Sequence, residues 1–221
     1  LALHFQPLYD VDGRTLRGYE ALVRWQHPTR GLVPPAEFIA LAEETGLIVP
    51  IGEWVIRSAC TQLVAFQNDP ATRDLTIAVN LSARQLAQPD IAEVIARIVK
   101  TSGAPADRLK LEITESMLLT NIDQTIEKMA SLSELGIRFS LDDFGTGYAS
   151  LNYLRSLPFD VIKVDQSFVK LIGQDRQADA LCETVLALGK ACGLGVVAEG
   201  VETPDQLKIL KEMGFELGQG Y

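Results

Sequence analysis

Histidine and cysteine are scarce in this sequence, and their scarcity excludes several kinds of site. The 221 residues include two histidines, His4 and His27, and three cysteines, Cys60, Cys182 and Cys192. Zinc is held mainly by histidine and cysteine, and two histidines are too few for a zinc site built from histidines. The cysteines are odd in number, lack metal-type spacing and lie in apolar segments, which favours reduced core residues over disulfides.

Positive charge is in deficit, and long apolar runs are missing. The sequence has 20 lysines and arginines against 29 aspartates and glutamates, a formal net charge of −9. Tracking a nucleic-acid backbone needs a basic surplus on one face, so we expect no nucleic-acid polymer as a partner. No apolar run reaches the roughly 18 residues that span a bilayer, and no signal-peptide pattern opens the chain. We expect a cytoplasmic chain, with any membrane attachment made through domains outside this sequence.

Short apolar strands alternate regularly with amphipathic helices, a pattern typical of wound α/β proteins. The length of 221 residues is consistent with one domain. Strands one and two are joined by Asp10-Val11-Asp12-Gly13, which is too short for a crossover helix, so strand one should run antiparallel to strand two. The predicted strands are Leu3–Tyr9, Arg17–Trp25, Thr76–Leu81, Leu109–Ile113, Arg138–Asp142, Val161–Val164, Gly195–Ala198 and Glu216–Gly218. The predicted helices are Pro35–Thr45, Gly52–Phe66, Asp90–Ser102, Asn121–Leu135, Ala178–Cys192 and Thr203–Met213.

Most of the later predicted strands end in a carboxylate, a carboxamide or a lysine. A strand buried on both faces gains nothing from a terminal charge, whereas a barrel of parallel strands gathers its chemistry at the carboxyl ends. The predicted fold is therefore α/β, a TIM-like (β/α)8 barrel with an antiparallel first strand. The polar strand ends are Asn80, Glu112, Asp142-Asp143, Lys163-Val164-Asp165, Glu199 and Gln219.

Four of these residues, together with Glu20 of the second predicted strand, offer hard oxygen ligands: Glu20, Asn80, Glu112, Asp142 and Asp143. Taken singly, Glu20 could be a solvent-facing charge, Asn80 a turn former and Asp142 a helix cap. Taken together, oxygen donors from successive strands predict a Mg²⁺ or Mn²⁺ site.

The most specific segment is Asp142-Asp143-Phe144-Gly145-Thr146-Gly147. Two adjacent aspartates leaving a strand in divergent directions allow one carboxylate to bridge two metals while the other binds only the second. The glycines let the next loop pass close to a ligand, and Thr146–Ser150 is predicted to act as a lid. The alternative interpretation is an ordinary Asp-rich turn.

Lysine and glutamate at two further strand ends have both catalytic and structural interpretations. Lys163 could orient a metal-bound water or offset phosphate charge, or simply pair with Asp165 or extend to solvent. Glu199 could complete a second metal site or handle a proton, and Glu202 could support the loops. As an isolated surface turn, Glu199-Gly200-Val201-Glu202 would mean little.

Taken in order, these motifs resemble the EAL domain family of cyclic-di-GMP phosphodiesterases. The resemblance runs from Phe5-Gln6-Pro7 to Tyr221, essentially the whole chain. The motifs that carry it are Glu20-Ala21-Leu22 with Val23-Arg24-Trp25, Asn80-Leu81-Ser82, Glu112-Ile113-Thr114-Glu115, Asp142-Asp143-Phe144-Gly145-Thr146-Gly147, Lys163-Val164-Asp165, Glu199-Gly200-Val201-Glu202 and Gln219-Gly220-Tyr221.

The resemblance implies a two-metal site that hydrolyses cyclic di-GMP to linear 5′-pGpG by activating water, with Mg²⁺ or Mn²⁺ as the two ions. It implies Lys163, Glu199 and Asp143 as catalytic residues and Gln6, Leu22 and Arg24 as substrate contacts. Glu115 would anchor the loop from Asp143 to Ser150, and Glu202 and Gln219 would support the site. The implied metal ligands are Glu20, Asn80, Glu112 and Asp142 for the first ion and Asp142, Asp143 and Glu199 for the second.

Two alternatives stay open from the residues alone. A receptor domain of the same family would bind cyclic di-GMP without turnover, but such members usually lack several metal ligands. A barrel enzyme that uses Mg²⁺ to stabilise an enediolate would also suit Lys163 and the carboxylates.

The family context adds expectations about the whole protein. The family usually continues past Gln219-Gly220-Tyr221, so we expect residues 1–221 to be a single domain excised from a longer multidomain protein and truncated at its C-terminal end. We also expect a homodimer and upstream sensory or GGDEF domains.

Overall fold

The structure, a computed structural model, describes residues 1–119, 122–146, 154 and 156–220. Within these residues the chain forms a closed barrel of eight strands with helices around it, and a ninth short strand beside the barrel. The strands are β1 (Ala2–Asp10), β2 (Leu16–His27), β3 (Gly31–Val33), β4 (Thr76–Asn80), β5 (Leu109–Thr114), β6 (Arg138–Phe144), β7 (Val161–Val164), β8 (Gly195–Val201) and β9 (Leu217–Gly220). The α-helices are α1 (Pro35–Thr45), α2 (Ile48–Gln67), α3 (Ala83–Leu86), α4 (Ile91–Ser102), α5 (Ile122–Glu134), α6 (Gln166–Val169), α7 (Arg176–Cys192) and α8 (Pro204–Met213).

The strand order around the barrel is β1-β2-β4-β5-β6-β7-β8-β9, and β9 closes the ring by pairing with β1. The first strand is antiparallel to both neighbours, with Gln6 opposite Glu20 on one side and Leu8 opposite Gln219 on the other. The pairs from β2 through β4 to β9 are parallel. The predicted barrel with an antiparallel first strand is confirmed.

The hydrophobic core lies between the outer face of the barrel and the helices. In β5 the alternating residues Leu109, Leu111 and Ile113 are fully buried in this core, while Lys110 and Glu112 line a small cavity of about 20 Å³ inside the barrel. Successive strand side chains point to opposite faces. The barrel interior is therefore polar where most barrels carry branched apolar residues.

All six predicted helices are present, and the ends of five of them are shifted. The range predicted for α1 is the observed one. Glycines in the left-handed conformation occupy the C-caps of α1, α4, α7 and α8. The start predicted for α2 at Gly52 was four residues late. Pro50 lies in the first turn, where backbone N–H groups have no helical partner and proline is tolerated.

Among the strands and α-helices described, three short elements were not predicted: β3, α3 and α6. Each has only three or four residues, too few for a period to show. The helix predicted from Asn121 is α5, and Asn121 itself lies outside the described residues, as does Tyr221. Among the helices described, none is long and apolar enough to cross a membrane.

Candidate active site

Polar side chains from six barrel strands meet around the ammonium group of Lys163. Lys163 is 3% exposed, and its Nζ lies 2.6 Å from Glu199 Oε1, 3.0 Å from Glu112 Oε1, 3.3 Å from Glu20 Oε2 and 3.5 Å from Asp142 Oδ1. Glu20 comes from within β2, and the others come from the carboxyl-terminal halves of β5, β6, β7 and β8. Gln219 of β9 joins them. Parallel strands of a barrel all end on the same face, so residues distant in sequence converge there.

Two amides hold the Glu20 carboxylate in place. Asn80 Nδ2 donates to Glu20 Oε1 at 2.6 Å, and Gln219 Nε2 donates to Glu20 Oε2 at 2.6 Å. With Lys163 on the same carboxylate, Glu20 is joined to β4, β7 and β9. The three contacts fix the direction of its lone pairs.

The two adjacent aspartates reach the same site because the backbone turns between them. Asp143 has φ 55°, the only positive φ of a non-glycine residue among those described, and the pairing of β6 with β7 shifts between Leu141 and Phe144. Neighbouring strand residues would otherwise point to opposite faces. As a result, carboxylate oxygens of Asp142, Asp143 and Glu199 lie within 4.8 Å of one another. This acidic cluster could hold a metal ion.

Glu199 is positioned by an irregularity in β8. Its pairing with β9 shifts between Glu199 and Val201, at Gly200, which has φ 70°. A Cβ added at Gly200 would lie 2.6 Å from Cβ of Gln166. Only glycine lets the strand bend here and pass so close to α6.

Glu115 connects the end of β5 to the loop after β6. It is 3% exposed, and its Oε2 accepts a hydrogen bond from the backbone N–H of Gly145 at 3.2 Å. This hydrogen bond joins Glu115 to the loop after β6, which is described as far as Thr146. The rest of the predicted lid, up to Ser150, lies outside the described residues.

Burial and charge move the pKa values of the cluster in different directions. Burial raises the pKa of Glu112 well above its usual value and that of Glu199 to about 7, although Lys163 opposes both shifts. Burial and the charge of Asp142 raise the pKa of Asp143. Burial also acts on Glu20, but Lys163, Gln219 and Asn80 outweigh it and lower the pKa of this carboxyl group. The pKa of Lys163 is raised well above its usual value, because Glu112, Glu20 and Glu199 more than compensate for burial.

A cavity of about 470 Å³ opens beside the cluster. Leu22, Arg24 and Asn80 line it together with residues of α1, α2 and the turn after β5. Arg24 Nη1 donates to Val23 O, the one hydrogen bond of this guanidinium among the described residues. Gln6 pairs with Glu20 across β1 and β2, which places both side chains on the same face.

Some predicted residues lie elsewhere, and some wall residues were not predicted. The side chain of Glu202 is exposed, and its backbone N–H donates to Gln206 Oε1 at the start of α8. Asp165 accepts from the backbone N–H of Ser167 as the N-cap of α6, so the pairing of Lys163 with Asp165 is not formed. The cavity wall from α1 and α2, including Ile39 and Ile48, had no sequence signal because apolar residues there also satisfy a core pattern.

Fold and site together define a TIM-like barrel with a carboxylate-rich centre at the carboxyl ends of its strands. The EAL domain model matches residues 1–221, and the chain belongs to the EAL domain family. It is 44% identical over 221 residues to the cyclic di-GMP phosphodiesterase NbdA of Pseudomonas aeruginosa, covering all of this chain and 28% of NbdA. It is 40% identical over 221 residues to the cyclic di-GMP phosphodiesterase PdeR of Escherichia coli, covering all of this chain and 33% of PdeR.

A solved structure of the PaMucR phosphodiesterase in complex with c-di-GMP matches with a TM-score of 0.95 at 40% identity, over 99% of this chain and 88% of that one. The chain thus spans 28% and 33% of the lengths of the two curated relatives above.

Proposed function

We propose that this domain hydrolyses cyclic di-GMP to linear 5′-pGpG in a reaction that needs two Mg²⁺ or Mn²⁺ ions. The observation that carries the proposal is the group of carboxylates converging on Lys163 in a chain 44% identical to the phosphodiesterase NbdA. The c-di-GMP complex of PaMucR, with a TM-score of 0.95 to this chain, supports the choice of substrate.

The residues present fit two divalent cations. Five carboxylates, those of Glu20, Glu112, Asp142, Asp143 and Glu199, surround the one ammonium of Lys163. When all are ionised, four negative charges are left over, which two divalent ions would neutralise. Oε2 of Glu112 is buried without a hydrogen-bond partner among the described residues, and a metal would satisfy it. Oxygen donors suit Mg²⁺ or Mn²⁺ better than zinc.

We assign Glu20, Asn80, Glu112 and Asp142 to the first ion and Asp142, Asp143 and Glu199 to the second. When bound, the two ions would activate water and stabilise the leaving oxygen of the phosphodiester. Asn80 and Gln219 would keep the Glu20 carboxylate aimed at its ion, because both donate to it at 2.6 Å.

The remaining residues would bind and orient the substrate. Arg24 and Leu22 line the 470 Å³ cavity beside the cluster, where Arg24 would pair with a phosphate and Leu22 would contact the substrate. Gln6 would contact the substrate from β1. Lys163 would contact the attacking water. Glu199 or Asp143 would accept its proton, or the two ions alone would suffice to lower its pKa.

We propose further that the chain works as one domain of a longer protein and as a homodimer. The share of NbdA that it covers, 28%, supports the first statement. A named relative, MucR, is described as a bifunctional diguanylate cyclase and phosphodiesterase, which supports a GGDEF partner domain. Light scattering on the full-length protein would measure the oligomeric state.

Chromatography of cyclic di-GMP incubated with the purified chain and Mg²⁺ or Mn²⁺ tests the proposed reaction. We expect metal-dependent formation of pGpG, lost in Glu20→Ala and in EDTA, and retained in Glu183→Ala, which removes an exposed carboxylate of α7. Tight binding of cyclic di-GMP without product, in this chain and in a longer one, would identify a receptor instead. Hydrolysis of cyclic di-GMP with no activity on sugar acids would remove the enediolate alternative.

A further inference from the structure

The wall of the 470 Å³ cavity comes largely from two helices outside the strands that carry the carboxylates. Pro35, Ile39 and Glu43 of α1 line it, and their spacing of four residues places them on one face of the helix. The first half of α2 lines the adjoining part. A displacement of about 1 Å can be enough to spoil the position of a bound ligand. The wall therefore has to keep a fixed distance from the carboxylate cluster.

The short helix α3 joins this wall to the end of β4. Its N-cap, Ser82, lies two residues after Asn80, and Gln85 Oε1 accepts hydrogen bonds from the backbone N–H and from Oγ of Ser82, at 3.2 and 3.0 Å. Gln85 is 2% exposed, and a Cβ added at Gly52 of α2 would lie 1.8 Å from its Nε2. Only glycine allows the two helices to approach so closely. The contact fixes α3 against both β4 and α2.

Arg84 extends from α3 to the C-terminal end of α1. Its Nη1 donates to the backbone carbonyl of Glu43 and, at 3.3 Å, to that of Glu44. The last carbonyls of a helix have no partner within the helix, and a cation stabilises them. The last turn of α1 contains no basic residue of its own. Arg84, 40 positions after Glu44, supplies the missing cation.

We propose that Arg84 is a positioning residue for the ligand of this cavity. By tying the end of α1 to α3, it holds the α1 wall in place relative to Asn80 and the carboxylates. Arg84 does not line the cavity itself, so it acts on the ligand through α1. The proposal rests on the proposed function for the identity of that ligand, cyclic di-GMP.

A second contact should keep α1 folded when Arg84 is replaced. Phe38 of α1 packs edge to face on Trp25 of β2, with ring centroids 5.9 Å apart, and Phe38 is buried. Arg84, in contrast, is exposed. Replacing Arg84 should therefore release the C-terminal end of α1 and leave the barrel intact.

Steady-state kinetics with cyclic di-GMP and Mg²⁺ compare Arg84→Met with the unchanged chain. We expect KM to rise about three- to tenfold and kcat to change less than about twofold, because binding is weakened and no reacting group moves. The Mg²⁺ concentration that gives half the maximal rate should stay the same. Unchanged KM, or a fall in kcat at constant KM, overturns the proposal.

Two further variants separate the contact from a general effect on the fold. Arg84→Lys should recover part of the affinity, since an ammonium also donates to helix carbonyls. Arg97→Met, at an exposed arginine of α4, should behave as the unchanged chain does. Equal KM values for Arg84→Met and Arg97→Met contradict the proposal.

Hydrogen exchange measured by mass spectrometry tests the same contact without a ligand. Amides in the C-terminal half of α1 should exchange at least about threefold faster in Arg84→Met, and those of α7 should not change. Equal exchange of α1 in the two chains overturns the proposal. If the unchanged chain binds cyclic di-GMP without forming pGpG, the proposed hydrolysis fails, and the dissociation constant replaces KM with the same expected rise. If it does neither, the exchange of α1 alone decides whether Arg84 holds the wall.

Discussion

At the residue scale, one ammonium group is shared by four carboxylates of the site. Lys163 lies within 3.5 Å of carboxylate oxygens from four glutamate and aspartate side chains. In a buried setting, each of these charges depends on its neighbours for compensation. Removing the single cation leaves the carboxylates without a counter-charge unless divalent ions replace it.

Lys163→Met should lower the free energy of unfolding by about 3–5 kcal/mol in EDTA, the usual cost of removing one partner from a buried ion pair. Mg²⁺ should restore part of this loss, because it supplies positive charge to the same carboxylates. Urea unfolding with and without Mg²⁺ measures both effects. Lys170→Met, at an exposed lysine, is the control, and equal stability of the two variants would contradict the prediction.

The backbone of Asp143 predicts a contrast between two substitutions. Its φ of 55° suits asparagine and aspartate but places a β-branched side chain against the neighbouring carbonyl. Asp143→Val should therefore be less stable than Asp143→Asn by about 1–2 kcal/mol, as measured by urea unfolding in EDTA. Similar stability of the two variants would mean that this conformation carries no strain.

The three cysteines should differ sharply in reactivity. Burial raises the pKa of Cys60 above its usual value and that of Cys182 to about 11, while Cys192 is exposed. A raised thiol pKa lowers the reactive thiolate fraction at every pH below it. Mass spectrometry after iodoacetamide treatment at pH 8 should find label on Cys192 alone, and on all three cysteines in urea. Labelling of Cys182 in the folded chain would show that α7 opens.

At the element scale, irregular strand ends rather than regular strands position the carboxylates. The register of β6 shifts beside Asp142 and Asp143, and that of β8 shifts beside Glu199. Each irregularity interrupts the pleat where a side chain must turn toward the barrel axis. The glycine at the second irregularity is therefore a structural requirement.

Gly200→Ala and Gly193→Ala form a matched pair. Both glycines have a positive φ, 70° and 72°, so each substitution should cost about 1 kcal/mol. Only at Gly200 would the new Cβ meet another residue, Gln166 at 2.6 Å, whereas nothing lies within 4 Å at Gly193. Gly200→Ala should then cost roughly 1–3 kcal/mol more. Chemical unfolding measures the free energy of unfolding of both variants. Equal decreases would show that α6 moves away from the new Cβ at no cost.

The fold class and most strand ends could be predicted from the sequence. Short apolar strands and the polar residues that follow them are local signals. Convergence of Glu20, Glu112 and Lys163 followed from the barrel itself, since parallel strands end on one face. The hydrogen bond from Gln219 to Glu20 spans 199 positions and has no local signal. The position of Lys110 on the small interior cavity had no sequence signal either, because a lysine inside a strand also suits an exposed edge.

At the scale of the whole molecule, the ring depends on one short strand. The four residues of β9 join β8 to β1, and Gln219 within it also donates to Glu20. Without β9, both β1 and β8 would become open edges.

Truncation after Gly214 should abolish the single cooperative unfolding transition, because the ring opens. Gln219→Ala, which keeps the strand and removes only the amide, should still unfold in one step. Circular dichroism during urea titration distinguishes the two variants. A cooperative transition in the truncated chain would show that the barrel tolerates a gap.

The place of β1 between β2 and β9 also bears on how the protein is made. A ribosome delivers the strands in chain order, so the nine residues of β1 wait for their second neighbour through the synthesis of nearly the whole domain. During that time, β1 offers unpaired N–H and C=O groups to any extended chain nearby. The nascent domain is thus most exposed to wrong pairing shortly before β9 emerges, and cells that make it in quantity would benefit from a chaperone that shields this edge.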